Sequence, residues 1–216
     1  MPFRFPSIYP ILDSSFIPAS GRAAFLRDLG SALADAGVTL LEYRNKCGSD
    51  TELSADAEAL RAAMPEEQVR LILDDRADLV CAIGFDGVHV DAGDVSVREA
   101  RRLVGPGRIV GTFGGGAEGL IPGILDEPAD YFAIGPVFTT TTKDTDKTPI
   151  EVDGVRRLRE EAGAGVVLTA AAGITLETAP LVLEAGASAV AVAAAIFSAA
   201  DPAAEYLRWR ERLVDF

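Results

Sequence analysis

The sequence predicts a (β/α)8 barrel, and two observations support this prediction. Eight short apolar segments recur along the 216 residues, and each is followed by a helical or helix-like segment. The apolar segments are continuous rather than alternating, which is typical of a parallel sheet covered by helices. Eight such units in just over 200 residues suit a small barrel. An open doubly wound sheet is the alternative, but no glycine-rich dinucleotide fingerprint follows the first strand.

The elements can be placed in chain order from these patterns. The predicted strands are 7–12, 38–44, 69–74, 86–90, 108–113, 130–135, 165–170 and 189–194. Amphipathic spacing predicts helices over 21–37, 50–64, 96–104, 175–186 and 201–213. Two of these helices end on glycine, and Pro202 lies in the first turn of the last one. No linker or low-complexity tract interrupts the series, so one domain spanning 1–216 is expected.

Composition and charge exclude several classes of function. Hydrophobic residues make up 49% of the chain, but no apolar run approaches the ~20 residues that span a bilayer. A net charge of −13 argues against a nucleic-acid partner. No signal-peptide layout begins the chain, so a cytoplasmic protein is expected. Cys47 and Cys81 form no metal motif and are expected to be free thiols in or just below the core. Monomer and homo-oligomer both remain open.

Charged and hydroxyl side chains follow the predicted strands, where a barrel of this class places its chemistry. Three cations there suit phosphoryl oxygens: Arg44, Lys46 and Lys143. Asp75 and Asp94 follow adjacent strands and suit one Mg²⁺ ion, which takes one or two carboxylates plus phosphate oxygens. Other features of these ends are the threonines from Thr139 to Thr142 and the small residues 170–173 and 193–195, which let backbone N–H groups approach a phosphate.

Each of these features also has a structural interpretation. Asp74 and Asp75 are equally typical of a helix cap, and Asp94 of a cap for the helix from Ser96. His89 fits a hydrogen-bonded histidine of the core or rim, and alanines usually pack. Their shared placement at one face of the barrel favours a functional site that binds anionic small molecules.

Four motifs from Ile8 to Phe197 resemble the family of thiamine phosphate synthase and thiazole tautomerase. "EYRNK" (42–46) resembles Gln-x-Arg-x-Lys, and "LILDDRADLV" (71–80) resembles Ile-Asn-Asp-Arg-x-Asp-Leu-Ala. "DGVHVDAGD" (86–94) resembles Asp-Gly-Val-His-Leu-Gly-Gln-x-Asp. "DYFAIGPVFTTTTK" (130–143) resembles Asp-Tyr-x-x-x-Gly-Pro-Val-Phe-x-Thr-x-Thr-Lys, which is highly specific to the group.

The resemblance implies a transferase of thiamine biosynthesis that couples a pyrimidine pyrophosphate with a thiazole phosphate and releases pyrophosphate. It implies that pyrophosphate is held by Arg44, Lys46, Asp74 and Lys143. Asp75 and Asp94 would bind Mg²⁺. Thr140 and Thr142 would hold the thiazole phosphate, together with the backbone around Gly173 and Ala194. Thiazole tautomerase and a non-catalytic binder of thiamine phosphate or thiazole phosphate are the alternatives.

Several positions depart from the family pattern, mainly in the half that would hold the pyrimidine. Glu42 replaces glutamine, Asp74 replaces asparagine, and Asp91 and Ala92 replace Gly-Gln. Further along, Phe113 replaces a residue with a small hydroxyl side chain, Gly115 replaces histidine, Ala172 replaces glycine and Ala194 replaces serine. The tautomerase uses a histidine where Gly115 stands, which ranks that alternative lower. Phe113 is expected to contact the pyrimidine ring, to fill its pocket, or to pack as ordinary core.

Overall fold

The eight predicted strands form a closed parallel barrel. The computed structural model describes residues 4–139 and 147–216. Its strands are β1 (Ile8–Asp13), β2 (Leu40–Arg44), β3 (Arg70–Asp74), β4 (Gly87–Val90), β5 (Ile109–Gly116), β6 (Gly119–Leu120), β7 (Tyr131–Ile134), β8 (Leu168–Ala171) and β9 (Ala189–Val192). All except β6 are staves of the barrel, which closes because β4 pairs with β5 and β1 with β9. The (β/α)8 prediction is therefore confirmed, and the open sheet is excluded.

Helices surround the barrel between successive strands. They are α1 (Arg22–Asp35), α2 (Asp50–Ala63), α3 (Val80–Ile83), α4 (Val97–Val104), α5 (Glu151–Ala162), α6 (Ala179–Glu184), α7 (Ala194–Phe197) and α8 (Pro202–Arg212). Serine caps two of them, because Ser49 accepts a hydrogen bond from the Glu52 amide and Ser96 from the Glu99 amide. Helix α5 escaped prediction because it is highly charged, and Val155 and Leu158 are its only buried large apolar residues. Within the described ranges, no helix has the length and apolarity needed to cross a membrane.

Strand β5 runs further than the predicted 108–113 and turns back on itself. A β-bulge at Gly114 separates the pairs Phe113–Ala133 and Gly115–Ile134, and β6 then pairs antiparallel with the end of β5. A run of three glycines resembles a loop in sequence, which explains why this hairpin was not predicted. A bulge re-aims the side chains beside it, so it governs where Phe113 points.

The barrel has an inner core that is separate from the helix–sheet core. Its centre is built from Tyr9, Leu40, Ile72, Tyr131, Ala189 and Ala191. Gly111 makes room for the Tyr131 ring, because a Cβ at position 111 would lie 1.9 Å from Tyr131 Cζ. The two cysteines are free, as expected, but both are exposed rather than buried. That part of the prediction is wrong because both thiols lie in the connections and helices outside the barrel wall.

Three arginine clamps recur at the amino-terminal end of the barrel. In each clamp, an arginine in a helix donates hydrogen bonds to backbone carbonyls of the loop that follows the helix. It also donates to a side chain that directly precedes a barrel strand. That side chain accepts a second hydrogen bond from a backbone amide of the neighbouring strand. The three sets are Arg61, Asp86 and Leu71; Arg101, Asp130 and Val110; and Arg159, Ser188 and Leu168. The third clamp differs because its acceptor is a hydroxyl.

We expect Ser188→Asp to raise the free energy of unfolding by about 1 kcal/mol, because a hydrogen bond to a charged group contributes more than a neutral one. Ser188 Oγ lies 3.0 Å from Arg159 Nη2 and 3.1 Å from the Leu168 amide nitrogen, where a carboxylate would complete an ion pair. Urea unfolding of wild type and variant measures the difference. As a control, Ser188→Asp is also made in an Arg159→Met background, where the gain in stability should vanish. A Ser188→Asp variant that is less stable than the wild type would contradict the prediction.

Candidate active site

A cavity of about 560 Å³ opens at the carboxyl ends of the barrel strands. Predicted site residues on its wall are Glu42, Arg44, Asp74, Phe113, Gly173 and Ala194. Lys46 does not line the cavity but contacts Asp74, which does. Asp75 and Asp94 lie beyond that contact, next to Lys46. Thr140, Thr142 and Lys143 fall outside the described residues.

Asp74 supplies the anion that allows Arg44 and Lys46 to lie side by side. Its Oδ2 atom lies 3.3 Å from Arg44 Nε and 2.9 Å from Lys46 Nζ, and Arg44 also contacts Asp13. Burial raises the pKa of Asp74, an effect that the nearby positive charges of His89 and Lys46 only partly offset. The aspartate that departs from the family's asparagine thus holds the two cations together at the edge of the cavity.

The two proposed metal ligands form a carboxylate pair. Asp75 has a φ of 66°, in the left-handed region that aspartate tolerates better than most residues. Lys46 Nζ contacts both oxygens of Asp75. Asp94 does not cap α4; its Oδ2 instead accepts a hydrogen bond of 2.8 Å from the Asp91 amide. Burial and the neighbouring Asp75 raise the pKa of Asp94, so the two carboxylates are close enough to repel each other.

This donor set fits a magnesium ion that is shared with a substrate. Within the described ranges, no group of three or more His, Cys, Asp or Glu side chains is arranged to hold a metal. Two carboxylates are what the chain offers at Asp75 and Asp94. Mg²⁺ commonly binds through one or two carboxylates and completes its shell with water and phosphate oxygens. A divalent cation at Asp75 would compete with Lys46 for the same oxygens.

A buried hydrogen-bonded chain lies at the cavity floor, and sequence patterns did not reveal it. Tyr9 donates to Glu42 Oε2 over 2.6 Å, and its hydroxyl lies 2.8 Å from that of Tyr131. The Tyr131 hydroxyl lies 3.0 Å from His89 Nδ1, and His89 Nε2 lies 3.4 Å from Asp91. All five side chains line the cavity. The histidine is therefore the hydrogen-bonded residue that its sequence context indicated.

The pKa values of two members of this hydrogen-bonded chain are raised. Burial raises the pKa of Glu42 to about 7, although the positive charge of His89 acts to lower it. Burial alone would lower the pKa of His89, but the hydrogen bond to Asp91 and the charges of Glu42 and Asp74 outweigh it and raise the value to about 9. An acid and a base with shifted pKa values therefore meet at the floor of one pocket, which is characteristic of functional sites.

The small residues after β8 form a tight backbone wall. Ala172 has a φ of 76°, a left-handed conformation that costs a non-glycine residue ~1–2 kcal/mol. Gly173 follows in the same region, where a Cβ would lie 2.6 Å from the Thr139 carbonyl oxygen. The Phe138 amide donates to the Ala172 carbonyl oxygen over 3.1 Å. The loop after β8 is thus held against the segment that leads into the threonines.

Phe113 lies on the cavity wall and is partly buried. It therefore does not pack as ordinary core, which was one of the three expectations for this residue. The family's hydroxyl and histidine positions at 113 and 115 are occupied by this ring and by a glycine whose Cβ would meet the backbone of β6. The bulge at Gly114 orients the ring toward the cavity.

Comparisons with known proteins place this chain among relatives of one family. The family described as thiamine monophosphate synthase matches residues 8–196. A thiamine-phosphate synthase of Koribacter versatilis is 41% identical over 88% of this chain and 89% of the relative. The one from Agrobacterium fabrum is 39% identical over 82% of this chain and 81% of the relative. The solved thiamine phosphate pyrophosphorylase of Pyrococcus furiosus has a TM-score of 0.77, with 25% identity over 97% of this chain and 96% of that chain.

Proposed function

The chain belongs to the thiamine monophosphate synthase family, and from this premise we propose that it couples hydroxymethylpyrimidine pyrophosphate with thiazole phosphate to give thiamine phosphate and pyrophosphate. The observation that carries the proposal is the cluster at the strand ends. Arg44 and Lys46 meet at Asp74, with the carboxylate pair of Asp75 and Asp94 directly beside them. Cations next to a metal-type carboxylate pair suit a pyrophosphate leaving group.

The reaction breaks the bond between the pyrimidine's methylene carbon and the pyrophosphate oxygen, and the electron pair leaves with pyrophosphate. The thiazole nitrogen then forms the new carbon–nitrogen bond with its lone pair. Such a step depends on neutralising the leaving group and on positioning two substrates. Arg44, Lys46 and Lys143 are proposed to hold the pyrophosphate oxygens, with Asp74 orienting the first two.

Asp75 and Asp94 are proposed to hold Mg²⁺, which would neutralise charge on the pyrophosphate when bound. Their oxygens and the substrate's phosphates together make up the donor set that this ion prefers. Lys46 contacts Asp75, and we propose that it exchanges this carboxylate for a phosphoryl oxygen when the substrate binds. On substrate binding, the ion pair between Lys46 and Asp75 would thus be replaced by one between Lys46 and the pyrophosphate.

The remaining candidate residues are proposed to position the organic parts of the substrates. Thr140 and Thr142, with the backbone at Gly173 and Ala194, would hold the thiazole phosphate. Glu42 and Phe113 would face the pyrimidine. The acidic floor suits this ring, because an aminopyrimidine presents N–H donors to carboxylate acceptors.

We further propose that residues 1–216 work as one catalytic domain in the cytoplasm. The barrel strands and the matched region span nearly the whole chain, which supports a single domain. Small-molecule substrates are the expected partners, and the acidic net charge of −13 disfavours nucleic acid. A homo-oligomer remains compatible with these features.

A coupled assay tests the proposal. The purified chain is incubated with hydroxymethylpyrimidine pyrophosphate, thiazole phosphate and Mg²⁺, and thiamine phosphate is measured by chromatography. We expect product only when all three are present, and none from Arg44→Met. Isomerisation of a thiazole phosphate without pyrimidine would instead indicate a tautomerase. Binding of thiazole phosphate without any turnover would indicate a non-catalytic binder.

A further inference from the structure

The described charged residues on the cavity wall are mostly acidic. Four carboxylates line it, and the lysine and arginine residues among the described lining are Arg44 and Lys147; the carboxylates are Asp13, Glu42, Asp74 and Asp91. Arg44 is already contacted by two of these acids. A further cation at this cavity would add to the positive charge that Arg44, Lys46 and Lys143 are proposed to supply. Lys147 has no counterpart among the motifs considered so far.

Lys147 lies against the face of an aromatic ring. Its Nζ atom is 4.0 Å from the centroid of the Phe113 ring, and both residues line the cavity. Lys147 is itself exposed. An ammonium within about 6 Å of a ring centroid is attracted by the negative face of the ring.

The backbone of β5 holds the ring in this place. Phe113 pairs with Ala133 just before the bulge, and Gly114 and Gly116 pack tightly. A Cβ at Gly114 would lie 2.7 Å from Phe132 Cβ, and one at Gly116 would lie 2.9 Å from the Gly135 carbonyl oxygen. These close approaches limit how far the strand end can shift, so Phe113 presents a defined surface to Lys147.

We propose that Lys147, positioned by the Phe113 ring, binds a phosphoryl group of a substrate at the mouth of the cavity. The inference rests on the proposed function, because it names a further residue for the phosphoryl groups of the same substrates. Phe113 stands where the family carries a small hydroxyl. In this chain the ring and the lysine together replace that lost donor with a cation.

The physical advantage of a ring lies in what it does to the charge. An aromatic face attracts an ammonium group without contributing a negative charge of its own. An ammonium has three N–H donors, and a donor that points away from the ring has the direction needed to reach a phosphoryl oxygen. Charge-assisted hydrogen bonds of this kind are stronger than neutral ones. The phosphoryl group belongs either to the pyrophosphate or to the thiazole phosphate, and the two ligands can be tested separately.

The test measures equilibrium binding by calorimetry for the wild type and four variants. Lys147→Met removes the charge and Lys147→Arg keeps it, while Phe113→Leu removes the ring and Phe113→Tyr keeps it. The probes are inorganic pyrophosphate with Mg²⁺, thiazole phosphate, and the phosphate-free thiazole alcohol. We expect Lys147→Met to weaken at least one phosphoryl probe by about tenfold, the size of one charge-assisted hydrogen bond. The alcohol should bind as in the wild type.

The double variant Phe113→Leu with Lys147→Met separates positioning from direct contact with the ligand. Phe113→Leu should weaken the phosphoryl probe several-fold when Lys147 is present and have no effect in the Lys147→Met background. Phe113→Tyr and Lys147→Arg should bind like the wild type. Loss confined to pyrophosphate would assign Lys147 to the leaving group, and loss confined to thiazole phosphate would assign it to the second substrate.

Three results would overturn the inference. They are unchanged phosphoryl binding in Lys147→Met, an equal loss for the alcohol, and tighter phosphoryl binding in Phe113→Leu, which would show that the ring only obstructs the pocket. The coupled assay distinguishes a failure of this inference from a failure of the proposed function. Normal turnover with unchanged binding in Lys147→Met overturns the inference alone, whereas Lys147-dependent binding without any coupling overturns the proposed synthase activity alone.

Discussion

Asp75→Asn is expected to lower kcat/KM for the coupling reaction by about two to three orders of magnitude, the size seen when one preorganised electrostatic contact is removed. The substitution takes one negative charge from the pair with Asp94 and leaves Lys46 in contact with Asp74. Pyrophosphate binding should weaken and require more Mg²⁺. Initial rates over a Mg²⁺ titration, together with pyrophosphate affinity by calorimetry, measure both effects.

Asp78→Asn provides the matched control for this experiment. Asp78 is exposed, pairs with Arg76 over 2.7 Å and does not line the cavity. Its substitution by asparagine therefore removes the same charge from the same β3–α3 loop without changing the site. Its kinetics should match the wild type. Full activity of Asp75→Asn, or of the wild type after exhaustive chelation, would show that this carboxylate pair does not hold a catalytic metal.

Glu42→Gln is expected to change the pH dependence of stability by about 3 kcal/mol between low and high pH. Burial raises the pKa of Glu42 from 4.5 to about 7, so the folded protein holds this proton more tightly than the unfolded chain does. The stability that comes from the proton is complete below about pH 4.5 and is lost as the pH rises through about 7. A shift of this size corresponds to about 3 kcal/mol.

The glutamine variant cannot ionise and should be the more stable form above pH 7, with little difference near pH 4.5. The groups that face Glu42 are Tyr9, Tyr131, His89, Asp74 and Asp91, and all five remain in the variant. The pKa of His89 should fall, because it loses one of the carboxylates that raise it. Urea unfolding at a series of pH values measures the stability difference.

The exposed Glu118 offers a control of the same chemical change, since Glu118→Gln should follow the wild-type curve at every pH. Parallel curves for wild type and Glu42→Gln would show that Glu42 stays ionised at the cavity floor down to acidic pH. The sign is distinctive, because most paired carboxylates make a protein less stable as the pH falls, whereas this one acts in the opposite direction.

Local patterns in the sequence were sufficient for the barrel and for the polar residues that follow its strands. Continuous apolar runs of strand length can be read without knowing their partners, and eight of them with intervening helices permit few other closed architectures. Arg44, Lys46, Asp75 and Asp94 were predicted to lie near one another because the carboxyl ends of parallel strands necessarily meet at one face. That rule converts position along the chain into position in space.

The tertiary structure alone decided which of those residues touch and what lies beneath them. Tyr9 and Tyr131 are 122 residues apart, and their hydroxyl contact depends on both rings pointing into the barrel and on the missing side chain at Gly111. The bulge that aims Phe113 beneath Lys147 depends on pairing with β7, which no local spacing records. Periodicity specifies which face of a strand is apolar, whereas the identity of an interior partner is set by register and barrel closure, because only these bring distant residues within hydrogen-bonding distance.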